Sequence, residues 1–258
     1  MILLDSHCHL NDPTIFSRRK EIVEEANKVG VTYFLCVGWD LESSKKAVEI
    51  AHEFPGVYAA VGFHPENLDG VELSSLEKIK ELAHDPKVKA IGEIGLDYHW
   101  FKDKEIQERQ KKFFIAQIDL ANELNLPVSI HARDASGDCL KILQEHTLIE
   151  HGVLHCFSGS TETMLEMGKL GLYFGFDGPI TYKNSASPKA NVVACSLDRI
   201  LTETDSPYLS PVPFRGTPNE PKHIVEIEKE MAELRGLSVE ELANHVLINF
   251  KNLFHVEQ

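Results

Sequence analysis

The chain has 258 residues, and its 26 basic and 40 acidic residues give a formal net charge of −14. This acidity excludes binding to duplex DNA through an extended basic surface, which requires clustered Lys and Arg. The length is enough for one large α/β domain with a sizeable buried core.

The cysteines and the N-terminal segment indicate a reducing compartment. The five cysteines are odd in number and form no C-x-x-C pair, which is typical of free thiols. The N-terminus lacks a basic region followed by a long apolar stretch, and no apolar run reaches the length of a membrane span. We therefore expect a cytoplasmic protein that does not bind membranes.

Short apolar runs rich in β-forming residues alternate along the chain with segments of helical periodicity. In the first helical segment, apolar residues recur at steps of three and four before Gly30. In the last, Ser238 and Glu241 have the spacing of a capping box. In chain order, the predicted strands cover 2–6, 32–37, 57–62, 90–94, 127–130, 152–154, 172–176 and 199–204, and the predicted helices cover 19–30, 41–54, 73–83, 104–124, 160–170, 187–196, 221–235 and 238–250.

This alternation predicts a parallel sheet with helices outside it, and the length favours a single-domain (β/α)8 TIM barrel over residues 1–258. An open doubly wound sheet is the alternative. That fold more often has a glycine-rich first turn, whereas the first turn here reads H-C-H-L-N-D. A late helical residue such as Glu228 is expected to lie on the protein surface.

Six of the eight predicted strands end close to a histidine or a carboxylate. In a strand, side chains two positions apart share a face, so the two histidines of the first run leave it on the same side. Barrel active sites lie at the C-terminal ends of strands, where we expect these side chains to form a ring. The residues are His7, His9, His64, Glu93, His131, His155 and Asp205.

The chemistry of this ring suits metal ions. Imidazole nitrogen and carboxylate oxygen together favour Zn²⁺, Mn²⁺, Fe²⁺ or Co²⁺, and less readily a pure Mg²⁺ site. One catalytic metal typically takes three protein ligands. A ring of this size therefore predicts two divalent metal ions that share one carboxylate, although their identity stays open.

Six stretches of the chain resemble the TatD-related metal-dependent deoxyribonucleases, a branch of the amidohydrolase-like barrels. The stretches are "DSHCHL", "VGFHP", "IGEIGLDY", "IHARD", "HCFSGS" and "ETDSP", in that order over residues 5–207, with "RGTPNEP" following. The resemblance implies a barrel, divalent metals and hydrolysis of phosphodiester bonds in DNA, often from a strand end. It implies one metal held by His7, His9, Glu93 and Asp205 and another held by Glu93, His131 and His155.

The expected mechanism is a metal-bridged hydroxide that attacks phosphorus. Glu93 bridges the metals, where many relatives in the wider superfamily have a modified lysine. Asp205 orients the hydroxide and accepts its proton. His64 contacts the phosphate or assists the leaving oxygen, or else caps the loop before Pro65. Arg133 and Arg215 are candidate phosphate clamps, with surface salt bridges as the alternative.

Neighbours of these residues receive supporting roles. Asp5 and Glu203 are predicted to orient the ligand histidines. Asp97 is expected to be structural. Cys8 and Cys156 each follow a histidine directly, so strand alternation predicts that their side chains point away from the site.

The substrate is expected to be DNA, as a single strand or a strand end, bound by a protein that we expect to be a monomer. A different enzyme on the same barrel remains open, namely a hydrolase of an ester or amide such as an aminoacyl-tRNA. A non-enzymatic metal-binding barrel is the third possibility. Its metal ions would be coordinatively saturated.

Overall fold

A computed structural model describes residues 1–257 of the chain, and within them eight strands form one sheet. Each strand pairs in parallel with the next along the chain. The strands are β1 (Leu3–Cys8), β2 (Val31–Val37), β3 (Val57–Val61), β4 (Val88–Asp97), β5 (Val128–Arg133), β6 (Gly152–Leu154), β7 (Tyr173–Phe176) and β8 (Ile200–Thr202).

The sheet closes on itself because the segment after β8 lies against the end of β1. The Asp205 N–H donates to the His7 carbonyl across 2.9 Å, and the His9 N–H donates to the Ser206 carbonyl across 2.8 Å. The molecule is therefore a (β/α)8 barrel, and the open doubly wound alternative is wrong.

Helices occupy the outside of this barrel and cover the outward face of the strands. They are α1 (Arg19–Lys28), α2 (Leu41–Glu53), α3 (Leu76–Ala83), α4 (Lys104–Leu124), α5 (Ser136–Glu145), α6 (Thr161–Lys169), α7 (Ala186–Ala194), α8 (Ile224–Arg235) and α9 (Val239–Phe254). Because both faces of the sheet are covered, β1, β4 and β7 are almost entirely buried, as in other parallel sheets.

The predicted elements agree with most of these bounds. Helix α4 and strand β6 begin and end where the sequence pattern places them, and the Ser238–Glu241 capping box opens α9. Helix α5 was not predicted, since it starts Ser-Gly and buries only Cys139, Ile142 and Leu143. Strand β4 is longer than the predicted run.

Glu228 corrects one expectation, because its side chain is fully buried between α8 and β8. The Thr202 hydroxyl donates to Glu228 Oε1 across 2.7 Å. Burial raises the pKa of Glu228 to about 7. A helix that packs against a barrel has an inner face. Because Glu228 is charged, the apolar pattern of the sequence does not place it on that face.

None of the helices within residues 1–257 is both long enough and apolar enough to span a membrane. All five cysteines are free thiols, as the sequence indicated.

Candidate metal centre

The ends of β1 and β8 bring one group of candidate ligands together. His9 Nε2 lies 3.3 Å from His7 Nε2 and 3.3 Å from Asp205 Oδ1. His7 Nε2 lies 3.8 Å from the same Asp205 oxygen. These three side chains could hold a metal ion, and we call them the first donor group.

A second donor group comes from β4, β5 and the residue that follows β6. Glu93 Oε1 lies 2.7 Å from His155 Nε2 and 3.1 Å from His131 Nδ1. The two imidazole nitrogens are 3.2 Å apart. Tetrahedral coordination with bonds of about 2.0–2.1 Å places ligand atoms about 3.3 Å apart, so these separations suit a metal ion.

Glu93 connects the two groups through its two carboxylate oxygens. While Oε1 faces the second group, Oε2 lies 3.5 Å from His7 Nε2 and 3.8 Å from His9 Nε2. The preceding residue must be glycine, because a Cβ on Gly92 would lie 2.7 Å from the Cβ of Ser129 on β5. Close packing of β4 on β5 thus places Glu93 between the donor groups.

The outer ring nitrogens fix the tautomers of two histidines. His9 Nδ1 lies 2.9 Å from the Val37 carbonyl, which only accepts, so His9 Nδ1 carries the proton. His131 Nε2 donates to Asp97 Oδ2 across 2.9 Å, so in the neutral ring Nδ1 is the bare nitrogen. Lone pairs therefore converge on the centre while the protons point outward. This arrangement suits a cation, and it is the usual arrangement around metal-bound histidines.

His64 differs from these histidines although it lies beside them. Its Nδ1 accepts from the Glu66 N–H across 3.2 Å at the start of a short 3-10 turn. In the neutral ring, the proton therefore sits on Nε2, which lies 3.3 Å from Glu93 Oε1. His64 both caps the loop before Pro65 and presents a hydrogen-bond donor to the centre. That donor suits a substrate oxygen better than a metal ion.

The pKa shifts follow from burial and from these contacts. Burial alone would raise the pKa of Glu93, but His155 and His64 hold it well below its usual range. Burial would lower the pKa of His155, yet Glu93 and Glu203 raise it well above the usual value. The Glu93 carboxylate is therefore ionised, and the space between the donor atoms favours positive charge.

Asp97 has a more specific role than the structural one expected. Burial opposes its ionisation, but the hydrogen bond from His131 and backbone N–H groups lower the pKa of Asp97 to about 2. It is a permanent acceptor that holds the ring of His131. The register of the parallel pair, in which Gly95 lies opposite His131, brings these side chains together.

The two predicted orienting carboxylates behave differently. Glu203 Oε1 lies 3.5 Å from His155 Nδ1 and accepts from the Cys156 N–H. Asp5 instead accepts from the backbone N–H and hydroxyl of Thr204. Its one link to a ligand histidine is the backbone N–H of His7, at 3.3 Å. Asp5 therefore holds the β8 end against β1 and contacts no imidazole ring.

Cys8 points away from the site as expected, toward the Leu35 carbonyl. Cys156 does not. It lies beyond the end of β6 with φ of 43°, so strand alternation no longer applies, and its side chain lines the cleft. Behind it lies Asp177, which directly follows β7 and is not among the residues predicted from the sequence. Burial raises the pKa of Asp177 well above its usual range, and its Oδ2 has no hydrogen-bond partner among residues 1–257.

The donor groups form the floor of a cleft of about 730 Å³. Of the predicted phosphate clamps, Arg133 lines this cleft and its guanidinium lies 5.4 Å from the Trp100 ring centre. Arg215 is not among the lining residues, and it lies 4.3 Å over the Tyr182 ring instead. Both tryptophans of the chain line the cleft, together with Tyr208. Neither tryptophan is among the predicted site residues, although the position of Trp39, two residues after the second predicted strand, is a signal that could have found it.

The fold and the donor groups define a class of protein: a barrel whose His and carboxylate side chains are arranged for divalent metal ions at the C-terminal ends of the strands. The chain belongs to the family of TatD-related DNases, whose family model matches residues 4–255. It is therefore a metal-dependent hydrolase.

Relatives over the full length agree with this assignment. The chain is 41% identical to an uncharacterized metal-dependent hydrolase of Bacillus subtilis, YabD, over 99% of this chain and 100% of that protein. It is 38% identical to YcfH of Escherichia coli K12, also an uncharacterized metal-dependent hydrolase, over 100% of this chain and 97% of the relative. The solved structure of YjjV, a TatD homologue from Escherichia coli K12, superposes with a TM-score of 0.93 at 31% identity and covers 99% of this chain and 98% of its own.

Proposed function

We propose that the protein hydrolyses phosphodiester bonds of DNA from a strand end, with two divalent metal ions. The observation that carries this proposal is the position of Glu93, whose two carboxylate oxygens face separate donor groups at the floor of an open cleft. Such an arrangement suits a pair of ions, which is typical of enzymes that displace an oxygen at phosphorus. Divalent ions held there would supply a nucleophile from water at neutral pH and would neutralise charge on the phosphate.

Asp205 is positioned to accept the proton of the attacking water. Burial would raise the pKa of Asp205, but the contact with His9 lowers it, so the carboxylate is ionised. Its side chain is 13% exposed, whereas that of His7 is fully buried, so Asp205 faces the space that a substrate would enter. The water oxygen would bond to phosphorus as the bond from phosphorus to the 3′-oxygen breaks.

His64 is positioned to act on the phosphate or on the leaving group. Its Nε2 proton points toward the second donor group and can be donated to a phosphate oxygen or to the departing 3′-oxygen. The products would then be a 5′-phosphate and a 3′-hydroxyl. Arg133 at the cleft wall supplies a cation for a neighbouring phosphate.

The shape of the cleft favours a single strand. A volume of about 730 Å³ is that of a site for a small molecule, and it suits the end of one strand better than a duplex. Trp39, Trp100 and Tyr208 offer flat apolar faces, on which unpaired bases stack. A net charge of −14 also disfavours long-range attraction to duplex DNA, so local contacts must hold the substrate.

A substrate panel tests this proposal. Metal-free protein is reloaded with Mn²⁺, Zn²⁺, Co²⁺ or Mg²⁺ and assayed on labelled single-stranded and double-stranded oligonucleotides and on an aminoacyl-tRNA. We expect metal-dependent shortening of the single strand from an end. Release of the amino acid without cleavage of any oligonucleotide would overturn the proposal in favour of an ester hydrolase. Tight metal binding without either reaction would indicate a non-enzymatic barrel.

A further inference from the structure

Acidic residues are unevenly distributed around the mouth of the barrel. Residues 178–197, after β7, and 206–219, after β8, contain no Asp or Glu. At the chain average of 40 acidic residues in 258, these two stretches would hold about five between them. The acidic residues Asp177, Glu203 and Asp205 lie between these stretches and the ends of β7 and β8.

The two acid-free stretches pack together into one surface. The Val212 N–H donates to the Thr181 hydroxyl across 2.9 Å. The Tyr182 hydroxyl donates to the Ser210 carbonyl, also across 2.9 Å. The guanidinium of Arg215 then lies over the Tyr182 ring. Contacts between the loops thus hold this surface in place.

The surface is continuous with the cleft. Pro179 from the first stretch and Leu209 from the second both line the cleft above the metal centre. Beyond these residues Arg215 lies over Tyr182, and Lys183 directly follows Tyr182 in the chain. We call these five residues the β7–β8 track.

The two cations of the track are available to a ligand. Lys183 and Arg215 are both exposed, and neither forms a salt bridge with any residue in the range 1–257. Phe214, beside Arg215, leaves 36% of its surface exposed. Cations interleaved with flat apolar side chains suit a single-stranded nucleic acid, which offers both phosphates and unpaired bases.

We propose that the β7–β8 track binds the part of a single-stranded substrate that extends beyond the nucleotide at the metal centre. This inference rests on the proposed function, since it assigns the rest of the same strand. Two features identify the occupant. The track combines two exposed cations that form no salt bridge within residues 1–257 with flat apolar side chains, and it starts at the cleft. Two phosphate contacts on single-stranded DNA would account for a salt slope, the fall of log K per unit rise in log salt concentration, of about 1.4.

The test compares substrates of different length with charge variants of the track. The variant carries Arg215→Gln and Lys183→Gln, and the matched control carries Lys20→Gln and Lys78→Gln, two exposed cations on α1 and α3. For a single strand of about twelve nucleotides, we expect the track variant to lose about fivefold to tenfold in kcat/KM at low salt, with a salt slope smaller by about 1.4. A dinucleotide should be cleaved at an unchanged rate, and the control should behave as the natural protein.

Equal losses on both lengths would overturn the proposal, because the cations would then act at the metal centre. An unchanged rate on the long strand would overturn it as well. Binding of a labelled strand to metal-free protein, measured by fluorescence anisotropy, separates this proposal from the proposed function. If the natural protein binds the strand more tightly than the track variant but cleaves no strand, then the nuclease assignment is wrong and the track stands. If the natural protein and the track variant bind the strand equally, the proposed role of the track is wrong. Circular dichroism melting checks that each variant is folded.

Discussion

His131 donates its Nε2 proton to Asp97 across 2.9 Å and so turns its other nitrogen, Nδ1, toward Glu93. The neighbouring strands β4 and β5 provide these residues, so the barrel itself sets the tautomer of a candidate metal ligand. Removal of the charge on Asp97 should therefore weaken metal binding although no ligand is removed.

Asp97→Asn is the matching change. The amide can still face the ring, but it no longer favours the tautomer with the proton on Nε2. We expect the affinity of the second donor group for metal to fall by about 10-fold to 100-fold, as is common when such a supporting partner is lost. Isothermal titration of metal-free protein measures this change. Asp134→Asn, an exposed change near the same strand end, is the control, and equal affinities in the two variants would contradict the assigned role.

The first donor group depends on the two histidines of β1. His7→Ala with His9→Ala removes both imidazoles and should lower the bound metal by about one ion per chain, with hydrolysis lost. Elemental analysis measures the metal, and a melting curve shows whether the barrel is intact. His245→Ala, an exposed change on α9, should alter neither quantity. If the folded double variant kept the metal content of the natural protein, the first donor group would not be a metal site.

His64 is expected to serve the reaction without holding a metal ion, because its Nδ1 accepts from a backbone N–H. His64→Gln should lower kcat by about 10²-fold to 10⁴-fold, the range typical of a lost proton donor. The metal content should stay the same. A variant that loses an ion would show that His64 is a ligand.

The buried carboxyl of Glu228 predicts how the free energy of unfolding depends on pH. Its pKa is about 7 in the folded protein against a usual 4.5, so the folded state binds the extra proton between these values. Stability should therefore fall as pH rises from about 4.5 to 7, by about 3 kcal/mol from this group alone.

Glu228→Gln removes that titration. The loss of stability between pH 5 and pH 8 should therefore be smaller in the variant than in the natural protein, as measured by urea unfolding at both pH values. Glu49→Gln, an exposed change on α2, should leave the pH dependence unchanged. An identical pH dependence in Glu228→Gln and the natural protein would mean that Glu228 is ionised in the fold.

The sequence predicts the clustering of these candidate ligands because their positions follow local rules. Period-two alternation places His7 and His9 on one face, and parallel strands bring their C-terminal ends together. The structure brings the six predicted ligands together around Glu93 and His9. What a local pattern cannot give is the tautomer of His131, which depends on a partner from another strand.

The remaining differences have physical reasons of the same kind. Cys156 enters the cleft because its backbone is left-handed, and strand alternation does not apply there. Glu228 is buried because a barrel helix has an inner face, and a charged residue there gives no apolar signal. Arg215 leaves the cleft because contacts within the β7–β8 track hold its loop over Tyr182.

The central claim is that Glu93 joins two metal sites, and Glu93→Gln tests it most directly. This change keeps the shape of the side chain but removes its charge and one strong oxygen ligand. Two unit charges 4 Å apart interact by about 4 kcal/mol at an effective dielectric constant of 20, and two divalent ions repel each other more strongly. Without the anion between them, the two sites should not fill together.

The measurement is the number of metal ions per chain, taken beside the hydrolysis rate in the same preparation, with Glu49→Gln as the exposed control. For Glu93→Gln, we expect about one ion or fewer, and a rate lower by orders of magnitude, while Glu49→Gln keeps both values. Two ions per chain and a near-normal rate in Glu93→Gln would contradict the shared carboxylate and the two-metal account that depends on it.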